Sequence, residues 1–402
     1  MKILFVCEGI TERSIYAQPW KHVHELARRM IQQGNEAIIL TDLTNESAND
    51  KKEIKGVPII RVKKRIFFDN EQIVKYINVN DPDVINWHGS DLWYTVHIWR
   101  IRNKIAKNIV CTLHSGPVSI DDIKVLKAHE MFALHRFWNN IMNALCPSNL
   151  VKKWMSIPSI KLIIVLSKRL KLYLMKKGIR RDCEIKVIRS GVDTKKFSPQ
   201  NAQSITDSLD FSKEKNKLIL YFGQLSVFRG VDTLLMAMPK VIQKIPSAKL
   251  LLLARGFLKD KEEKRLAKMA LGIKGALLVK GFLSEEILIS YLSLADVVVL
   301  PFKFWPQVEC PLTILEAMSM RKPVITCPVG AIPEIVHNQK NGILIPPNNP
   351  ELLAKGIVKL LENEELAQKI GINARECVKK FYDWDIVASR TADTFRYALH
   401  GL

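Results

Sequence analysis

The richest segment of candidate ligand-binding residues joins a short apolar run to a helical pattern that begins near Leu312. Pro311 suits the first turn of that helix, where free backbone N–H groups and the hydroxyl of Thr313 can hold a diphosphate. Further along, Glu316 can accept hydrogen bonds from ribose hydroxyls, and Glu309 can accept them from a transferred sugar. Acids near a helix start also complement the helix dipole without binding anything. The segment by itself therefore leaves open both a sugar-nucleotide site and a purely structural role.

A second segment has the order of strand, glycine turn and helix. It runs from the apolar residues 218–222 through Gly223 and Gln224 to Arg229 and Gly230. A guanidinium held at such a turn stabilises the negative charge that a diphosphate gains when a glycosidic bond breaks. A lone surface arginine would be ordinary, so it is the position of Arg229 beside glycines after a strand that makes it a candidate.

Polar side chains also end two strand-like runs in the first half of the chain. His88 ends one run and His114 ends the next, and each is either a site residue or a capping or core histidine. Asp81 and Asp83 resemble a metal-binding acid pair, but they precede a strand-like run rather than follow one. They are therefore predicted to form a turn, and no metal site is predicted.

Short apolar runs alternate with helical patterns along most of the chain, which predicts parallel β-sheets. The runs are apolar throughout rather than at every second residue, so helices are expected on both faces of each sheet. The fold class is therefore α/β with two Rossmann-like, doubly wound domains, residues 1–197 and 198–383, and a last helix at about 384–402 that returns to the first domain. A polar interval at 198–217 is predicted to be the linker. The predicted strands are 2–7, 37–41, 58–62, 84–87, 109–113, 162–166, 186–189, 218–222, 250–254, 276–279, 297–300, 324–327 and 342–345.

The chain resembles the retaining glycosyltransferases of family 4, which have the GT-B fold, over most of its length. The resemblance rests on segments in a fixed order, which are Arg189-Ser-Gly191-Val-Asp193, Gly223 to Gly230, Lys280-Gly281-Phe282-Leu283, Glu309 to Met318, and Gly330-Ala-Ile-Pro333-Glu334-Ile with Asn341-Gly342. This order is much more specific than any single segment. It implies a sugar nucleotide bound in a cleft between two Rossmann-like domains. It also implies transfer with retention of anomeric configuration, without a protein nucleophile, a metal or a further cofactor.

The resemblance implies roles for individual residues as well. The implied catalytic residues are His114, which the family places beside the reacting sugar, with Glu309 and Arg229. The implied donor-binding residues are Gly223, Gln224, Arg229, Gly281, Phe282, Leu283, Pro311, Leu312, Thr313 and Glu316. The implied acceptor-side residues are Gly9, Ala17, Gln18 and His88.

Three positions depart from the family pattern. Six residues separate Glu309 from Glu316 where the family has seven, so Val308 occupies the expected place of the first acid. Gln224 replaces a common arginine, and Ala17-Gln18 replace a glycine pair. The leaving group is therefore expected to face fewer positive charges than in the family at large.

The net charge of +21 is concentrated in the first half of the chain, where residues 1–200 carry +15 of it. The densest stretch, Lys152 to Lys196, contains 14 basic and 3 acidic residues, and its basic residues alternate with apolar ones. This pattern predicts either a helix on an anionic membrane surface or a solvated helix face. No apolar run is long enough to span a membrane, and the N-terminal residues read as a strand rather than a signal peptide. We therefore expect a cytoplasmic protein, which the first alternative would place on the inner membrane face.

These observations favour a retaining hexosyltransferase that moves a sugar from a UDP or GDP sugar to a hydroxyl of a glycan or lipid-linked acceptor. A sugar-nucleotide epimerase can share this two-domain fold and is the main alternative. A nucleic-acid-binding protein is a third hypothesis that charge alone suggests, because no base-reading module is recognisable. The seven cysteines lack the spacing of a zinc site or redox dithiol and are expected to be reduced.

Overall fold

The computed structural model describes residues 1–42, 52–63, 70–89, 94–115, 148–176, 178, 184–199, 216–255, 261–281, 284–303 and 309–401. The chain forms two compact units. The first comprises Met1–Ser190, Pro306–Cys310 and Trp384–Leu402, and the second comprises Gly191–Trp305 and Pro311–Asp383.

The chain passes from the first unit to the second between Ser190 and Gly191, earlier than the predicted boundary. The segment after Gly191 packs within the second unit, where Val192 forms a β-bridge with Asp383. The backbone N–H and the hydroxyl of Thr194 both donate to the same aspartate carboxylate. These contacts, rather than the polar interval further along, determine where the first unit ends.

The first unit is built on an eight-stranded sheet with the order β3-β4-β2-β1-β5-β6-β7-β8. Neighbouring strands are parallel except for β3 and β4, which form an antiparallel pair at one edge. The seven predicted strands of this half are all present, whereas β3, with two residues, is too short to leave a pattern. The strands are β1 (Lys2–Val6), β2 (Glu36–Asp42), β3 (Glu53–Ile54), β4 (Val57–Val62), β5 (Val84–Gly89), β6 (Asn108–Leu113), β7 (Ile160–Val165) and β8 (Glu184–Val187).

Helices cover both faces of this sheet, as its continuous apolar strands require. One face packs against α1 and the last helix, which contributes Trp384 and Phe395 to a core with Phe5. The other face packs against a separate core that contains Trp87 and Ile98. The helices of the first unit are α1 (Trp20–Gln32), α2 (Asn70–Asn80), α3 (Tyr94–Ile101), α4 (Ser148–Met155), α5 (Lys168–Lys176) and α12 (Trp384–His400).

The second unit has a six-stranded parallel sheet with the order β11-β10-β9-β12-β13-β14. Its strands are β9 (Lys217–Gly223), β10 (Ala248–Arg255), β11 (Ala276–Gly281), β12 (Val297–Leu300), β13 (Val324–Thr326) and β14 (Ile343–Leu344). Its helices are α6 (Val231–Lys244), α7 (Lys261–Leu271), α8 (Glu285–Leu294), α9 (Leu312–Ser319), α10 (Pro350–Glu362) and α11 (Glu364–Phe381). The predicted strands of this half are all present.

Both sheets reverse their winding direction at one point. In the first sheet the chain winds outward from β1 on one side and from β5 on the other, and in the second it winds outward from β9 and from β12. Ligands of open parallel sheets bind beyond the carboxyl ends of the strands at such a switch point. The loops after these four strands are therefore where a site is expected.

The helix α5 lies in the basic stretch and has a mixed surface. Leu170 and Leu174 are buried, whereas Leu172 and Met175 are 65% and 50% exposed. No helix in the part of the chain that the structure describes is both long enough and apolar enough to cross a bilayer.

Candidate active site

The loops after β9 and β12 meet at the switch point of the second unit. The two strands are parallel neighbours, with Val298 opposite Leu220, so their carboxyl ends lie side by side. A 3₁₀ turn at Val227–Arg229 follows β9, and the backbone N–H of Lys303 donates to the Phe228 carbonyl at 2.9 Å. Two segments that the sequence singled out separately are thus brought together by the fold.

Gly230 marks the closest approach of these two loops. Its φ is +71°, and a Cβ at this position would lie 1.8 Å from the carbonyl oxygen of Pro301. Both the left-handed backbone and the missing side chain are therefore required here. The glycine lets the turn at Val227–Arg229 pass directly into α6 while it packs against the end of β12.

The guanidinium of Arg229 lies at the carboxyl end of β9, as predicted. A Cβ on Gly223, whose φ is +135°, would lie 2.8 Å from Arg229 Nη1, so the glycine leaves room for the guanidinium. The Tyr221 hydroxyl is a hydrogen-bond partner of Arg229, and the guanidinium carbon lies 5.5 Å from the centroid of the Phe302 ring. Burial raises the pKa of Tyr221 to about 12, an effect that the charge of Arg229 opposes. These contacts hold the Arg229 guanidinium in place.

A second cation of the same region is engaged in a salt bridge. Lys303 Nζ lies 2.6 Å from Asp232 Oδ2, and the two side chains are 9% and 14% exposed. The positive charge of Lys303 is thus balanced locally by a carboxylate. The sequence analysis did not identify this pair, since the two residues are 71 positions apart and neither belongs to a recognisable spacing.

The helix α9 begins at Leu312, as predicted, directly after Pro311. The hydroxyl oxygen of Thr313 is buried and has no hydrogen-bond partner among the residues that the structure describes. Glu316, one turn further along, is 6% exposed. The start of α9 thus combines the N–H groups of a first helical turn with an unsatisfied hydroxyl.

The remaining donor-side candidates are more open. Gln224 is exposed, with its amide 3.5 Å from Glu263 Oε1. Gly281 ends β11 with φ +124°, and none of the described residues places an atom within 4 Å of the position that a Cβ would take. Phe282 and Leu283 lie outside the described residues.

The loop after β1 is shaped by hydrogen bonds at its start. Gly9 has φ +78°, and its N–H donates to Asp42 Oδ1 at 2.5 Å. The indole Nε1–H of Trp20 donates to the Glu8 carbonyl at 2.7 Å. A Cβ on Gly9 would approach that nitrogen to 2.9 Å, so the glycine allows the ring of Trp20 to close the loop.

The positions of the family's glycine pair are occupied by residues with their own contacts. The N–H of Ala17 donates to the Ser14 carbonyl at 2.8 Å, which closes a 3₁₀ turn. Gln18 Nε2 donates to Ser190 Oγ at 2.9 Å, and His22 Nδ1 lies 2.8 Å from the same oxygen. Ser190 is fully buried. Gln18 was a candidate from the sequence, whereas His22, which contacts the same serine hydroxyl, was not.

Three histidines form a cluster at the carboxyl ends of β5 and β6, which we call the histidine cluster: His22, His88 and His114. His88 Nδ1 lies 2.8 Å from His114 Nε2. The His22 ring stands edge-on to the His114 ring with centroids 4.9 Å apart, and the centroid of the Trp384 ring lies 5.4 Å from that of His22. The sequence analysis named two of these histidines separately, and the fold brings all three together.

Burial keeps the histidine cluster neutral at ordinary pH. All three side chains are less than 5% exposed. Burial lowers the pKa of His114 to about 3. Burial, followed by the neighbouring imidazoles, holds the pKa values of His22 and His88 well below the ordinary value.

Glu309 is almost fully buried and belongs to the first unit. Its Oε2 accepts a hydrogen bond of 2.7 Å from the Ser167 hydroxyl, and its Oε1 lies 3.7 Å from Arg169 Nη1. Ser167 also caps α5 by accepting from the N–H of Leu170. Glu309 thus has contacts in the first unit, whereas Glu316 belongs to the second.

The acidic pair lies in the connection between α2 and β5. Asp81 has φ +46° and pairs with Lys107 at 2.5 Å. The Asp83 carboxylate accepts a 2.7 Å hydrogen bond from the N–H of Lys2. Within the described ranges, no group of three or more histidine, cysteine, aspartate or glutamate residues has an arrangement that could hold a metal ion.

The chain is similar to known proteins both in its sequence and in its fold. An uncharacterised glycosyltransferase of Methanocaldococcus jannaschii is 25% identical in an alignment 401 positions long that covers 94% of each chain. Sucrose-phosphate synthase from Thermosynechococcus elongatus superimposes with a TM-score of 0.77 at 19% identity over the whole of both chains. Anabaena HepE in complex with UDP-glucose gives 0.73 at 17% identity, over 98% of this chain and 99% of that one. The fold and these likenesses define a glycosyltransferase with the GT-B fold.

Two family models divide the chain between them. The model for Glycosyltransferase Family 4 matches residues 20–196, and the model for Glycosyl transferases group 1 matches residues 207–377. The chain belongs to this family 4, group 1 lineage of glycosyltransferases.

Proposed function

We propose that the enzyme transfers a hexosyl group from a UDP or GDP sugar to a hydroxyl acceptor with retention of anomeric configuration. The observation that carries the proposal is the fixed guanidinium of Arg229 at the switch point of the second unit. A diphosphate leaving group gains negative charge as its bond to the sugar breaks, and a cation already in place stabilises that charge without reorganisation. The salt bridge of Lys303 with Asp232 leaves this task to Arg229.

The start of α9 supplies the other half of the proposed donor site. Helix N-termini bind phosphate through their free N–H groups and the helix dipole. The unsatisfied hydroxyl of Thr313 can donate to a phosphate oxygen, and we assign Glu316 to the ribose hydroxyls. Anabaena HepE, which has the same fold, has been determined with UDP-glucose, and this supports a nucleotide sugar as the ligand class.

We assign His114 to the side of the transferred sugar, with Glu309 as the accompanying acid. His114 directly follows β6, and its backbone N–H donates to the backbone carbonyl of Gly89 at the end of β5. Glu309 already accepts a hydrogen bond from Ser167, which would hold its carboxylate in place for a sugar hydroxyl. Gly9, Ala17, Gln18 and His88 remain the proposed acceptor-side residues. We propose that the acceptor hydroxyl attacks the sugar as its bond to the diphosphate breaks, and that the departing phosphate takes the hydroxyl proton, so that no protein nucleophile and no metal are required.

A donor screen tests the proposal. We expect UDP or GDP sugars to raise the melting temperature, because a ligand that binds the folded state raises its apparent stability. With the stabilising donor, product analysis should show nucleoside diphosphate released as the acceptor gains the sugar, with the anomeric configuration retained. Conversion of the donor to an isomeric sugar nucleotide without an acceptor would instead identify an epimerase.

Glu316 provides a residue-level test. Glu316→Gln should lower transfer by about a hundredfold, since a charged acceptor for a bound hydroxyl becomes a weaker neutral one. Glu362→Gln removes an exposed carboxylate from the same unit and should leave the rate unchanged. Equal rates for both variants and the unsubstituted enzyme would remove Glu316 from the site.

We also propose that α5 contacts an anionic membrane surface. Leu172 and Met175 are exposed apolar residues on a helix that also exposes Lys168 and Lys176. Exposed apolar side chains among lysines favour the interface of an anionic bilayer. The double variant Leu172→Ser, Met175→Ser should reduce cosedimentation with phosphatidylglycerol vesicles. Leu271→Ser, at an exposed leucine of the second unit, should not, and equal binding to phosphatidylcholine vesicles would contradict the proposal.

A further inference from the structure

The pair formed by His88 and His114 has a geometry suited to a direct hydrogen bond. The two nitrogens, His88 Nδ1 and His114 Nε2, are 2.8 Å apart. The rings are close to parallel, with an angle of 23° and centroids 5.1 Å apart, so the bond lies near the ring planes. Both side chains are buried, at 2% and 4% exposure. The contact therefore constrains each ring through the other.

In two neutral imidazoles joined by such a hydrogen bond, the proton positions of the two rings depend on each other. Each ring carries one proton, and only one proton can lie between the two bonded nitrogens. If His88 donates from Nδ1, its Nε2 is an acceptor and His114 carries its own proton on Nδ1. If His114 donates from Nε2, its Nδ1 is an acceptor and His88 carries its proton on Nε2. The tautomer of one ring therefore dictates the tautomer of the other.

The two ring nitrogens that take no part in the hydrogen bond between His88 and His114 favour the first of these arrangements. His88 Nε2 and His114 Nδ1 are both buried and have no hydrogen-bond partner among the described residues. A buried N–H without a partner is less well tolerated than a buried acceptor without one. We therefore expect the unsatisfied N–H on the histidine that lies nearer to the strand ends, where ligands of parallel sheets bind. His88 lies within β5, whereas His114 follows the end of the neighbouring strand β6.

We propose that His88 is a positioning residue which donates its Nδ1 proton to His114 Nε2, and so makes His114 present an Nδ1–H to the bound sugar. This rests on the proposed function for the sugar, but the proton arrangement itself is a property of the free protein. His22, whose Nδ1 lies 2.8 Å from Ser190 Oγ, supports the arrangement by packing edge-on against His114. His88 thereby acts on the sugar only through His114.

The first experiment needs no substrate. Long-range ¹H–¹⁵N spectra of the ¹⁵N-histidine-labelled enzyme at neutral pH distinguish a protonated ring nitrogen from a bare one, and histidine substitutions assign the signals. We expect Nδ1–H and bare Nε2 for both His88 and His114. His24 Nε2 lies 2.9 Å from the carbonyl oxygen of Ile54, so it should show the opposite tautomer in the same sample. An Nε2–H tautomer or a charged ring at His88 or His114 would overturn the proposal.

The second experiment separates positioning from packing. His88→Phe keeps an aromatic ring near Phe5, which lies 5.8 Å from the His88 ring, but removes the donor. His88→Asn keeps an N–H close to the place of Nδ1. We expect the His114 signals to show a mixture of tautomers in His88→Phe and a single Nδ1–H form in His88→Asn. Failure of the asparagine to restore that form, in a folded variant, would contradict the donor role.

Kinetics then connects the pair to transfer. With UDP-glucose or GDP-mannose, whichever raises the melting temperature, kcat should fall about tenfold in His88→Phe at an unchanged KM for the donor. It should recover to within about threefold in His88→Asn, on the same reasoning. His24→Phe removes another buried histidine hydrogen bond and should leave kcat unchanged. Unaltered kcat in folded His88→Phe would overturn the positioning role, whereas absence of donor binding in the unsubstituted enzyme would count against the proposed function and leave the tautomer result standing.

Discussion

The two sheets of this enzyme differ in the side chains that lie at the carboxyl ends of their central strands: a charged group in the second unit and neutral groups in the first. In the second unit the loops after β9 and β12 hold a half-buried guanidinium against Tyr221 and Phe302. In the first unit the ends of β5 and β6, next to the switch point, hold three imidazoles that burial keeps neutral. The difference shows that topology determines where side chains converge, while burial and partners determine whether the place suits an anion or neutral hydroxyls.

The variant Gly230→Ala tests the packing of the loops around Arg229 in the second unit. A methyl group there meets the Pro301 carbonyl and also forces a left-handed backbone on alanine, so we expect a loss of about 4 kcal/mol of stability in the second unit. Gly34→Ala is the matched control, since Gly34 has a similar φ of +80° and no atom of the part of the chain that the structure describes lies within 4 Å of its Cβ position. It should cost only about 1–2 kcal/mol in the first unit. Hydrogen exchange measures the stability of each unit separately, and equal losses in the two variants would contradict a steric conflict between position 230 and the Pro301 carbonyl.

Removing the guanidinium tests the function of the same region. Arg229→Ala should lower transfer by about a hundredfold to a thousandfold, or about 3 kcal/mol, as expected for one preorganised partner of a developing negative charge. Arg265→Ala removes an exposed arginine on α7 and should have no effect on the rate. Near-normal transfer by folded Arg229→Ala would contradict the contrast drawn between the two regions.

Acid should destabilise the first unit around the histidine cluster. Because the folded-state pKa values of His22, His88 and His114 are lowered, the unfolded chain binds protons from about pH 6.5 downward that the folded chain does not. Stability is therefore lost as pH falls from about 6.5 towards 3. One such histidine contributes a loss of about 2 kcal/mol by pH 5. Hydrogen exchange of residues 84–113 between pH 7 and pH 5 should show this loss, and His114→Phe should reduce its slope.

The smallest expected effect concerns the support of Arg229. Tyr221→Phe removes a hydrogen-bond partner of the guanidinium without touching the donor, so transfer should fall by about fivefold, or about 1 kcal/mol. Tyr382→Phe removes a comparable hydrogen bond to the Glu334 carbonyl and should change stability alone. A reduction of transfer by both variants alike would show that Tyr221 acts only through stability.

Much of the fold could be predicted because its parallel strands are buried on both faces and therefore leave continuous apolar runs. The bounds of β12, Val297–Leu300, coincide with the prediction. The start of α9 at Leu312 was also predictable from Pro311. The two-residue strand β3 was not, since its pairing with β4 depends on a contact that no local pattern records.

The site was less predictable than the fold because its contacts join distant residues. Arg229 and Gly223 could be named from the glycine turn between them. The meeting of His22 with His114 across 92 positions and the pairing of Lys303 with Asp232 could not. Helical periodicity indicates that His22 faces the core, but it does not say which side chain of the sheet His22 meets.

Calorimetric titration with UDP and GDP tests the central claim most directly, namely that the second unit binds the diphosphate of a sugar nucleotide at Arg229. We predict that one of the two nucleotides binds the unsubstituted enzyme at one site per chain, more tightly than its monophosphate. Arg229→Ala should then bind it about a hundredfold more weakly, which is the expected effect of losing one strong charged contact. No binding of either nucleotide, or equal affinity in Arg229→Ala, would contradict the account.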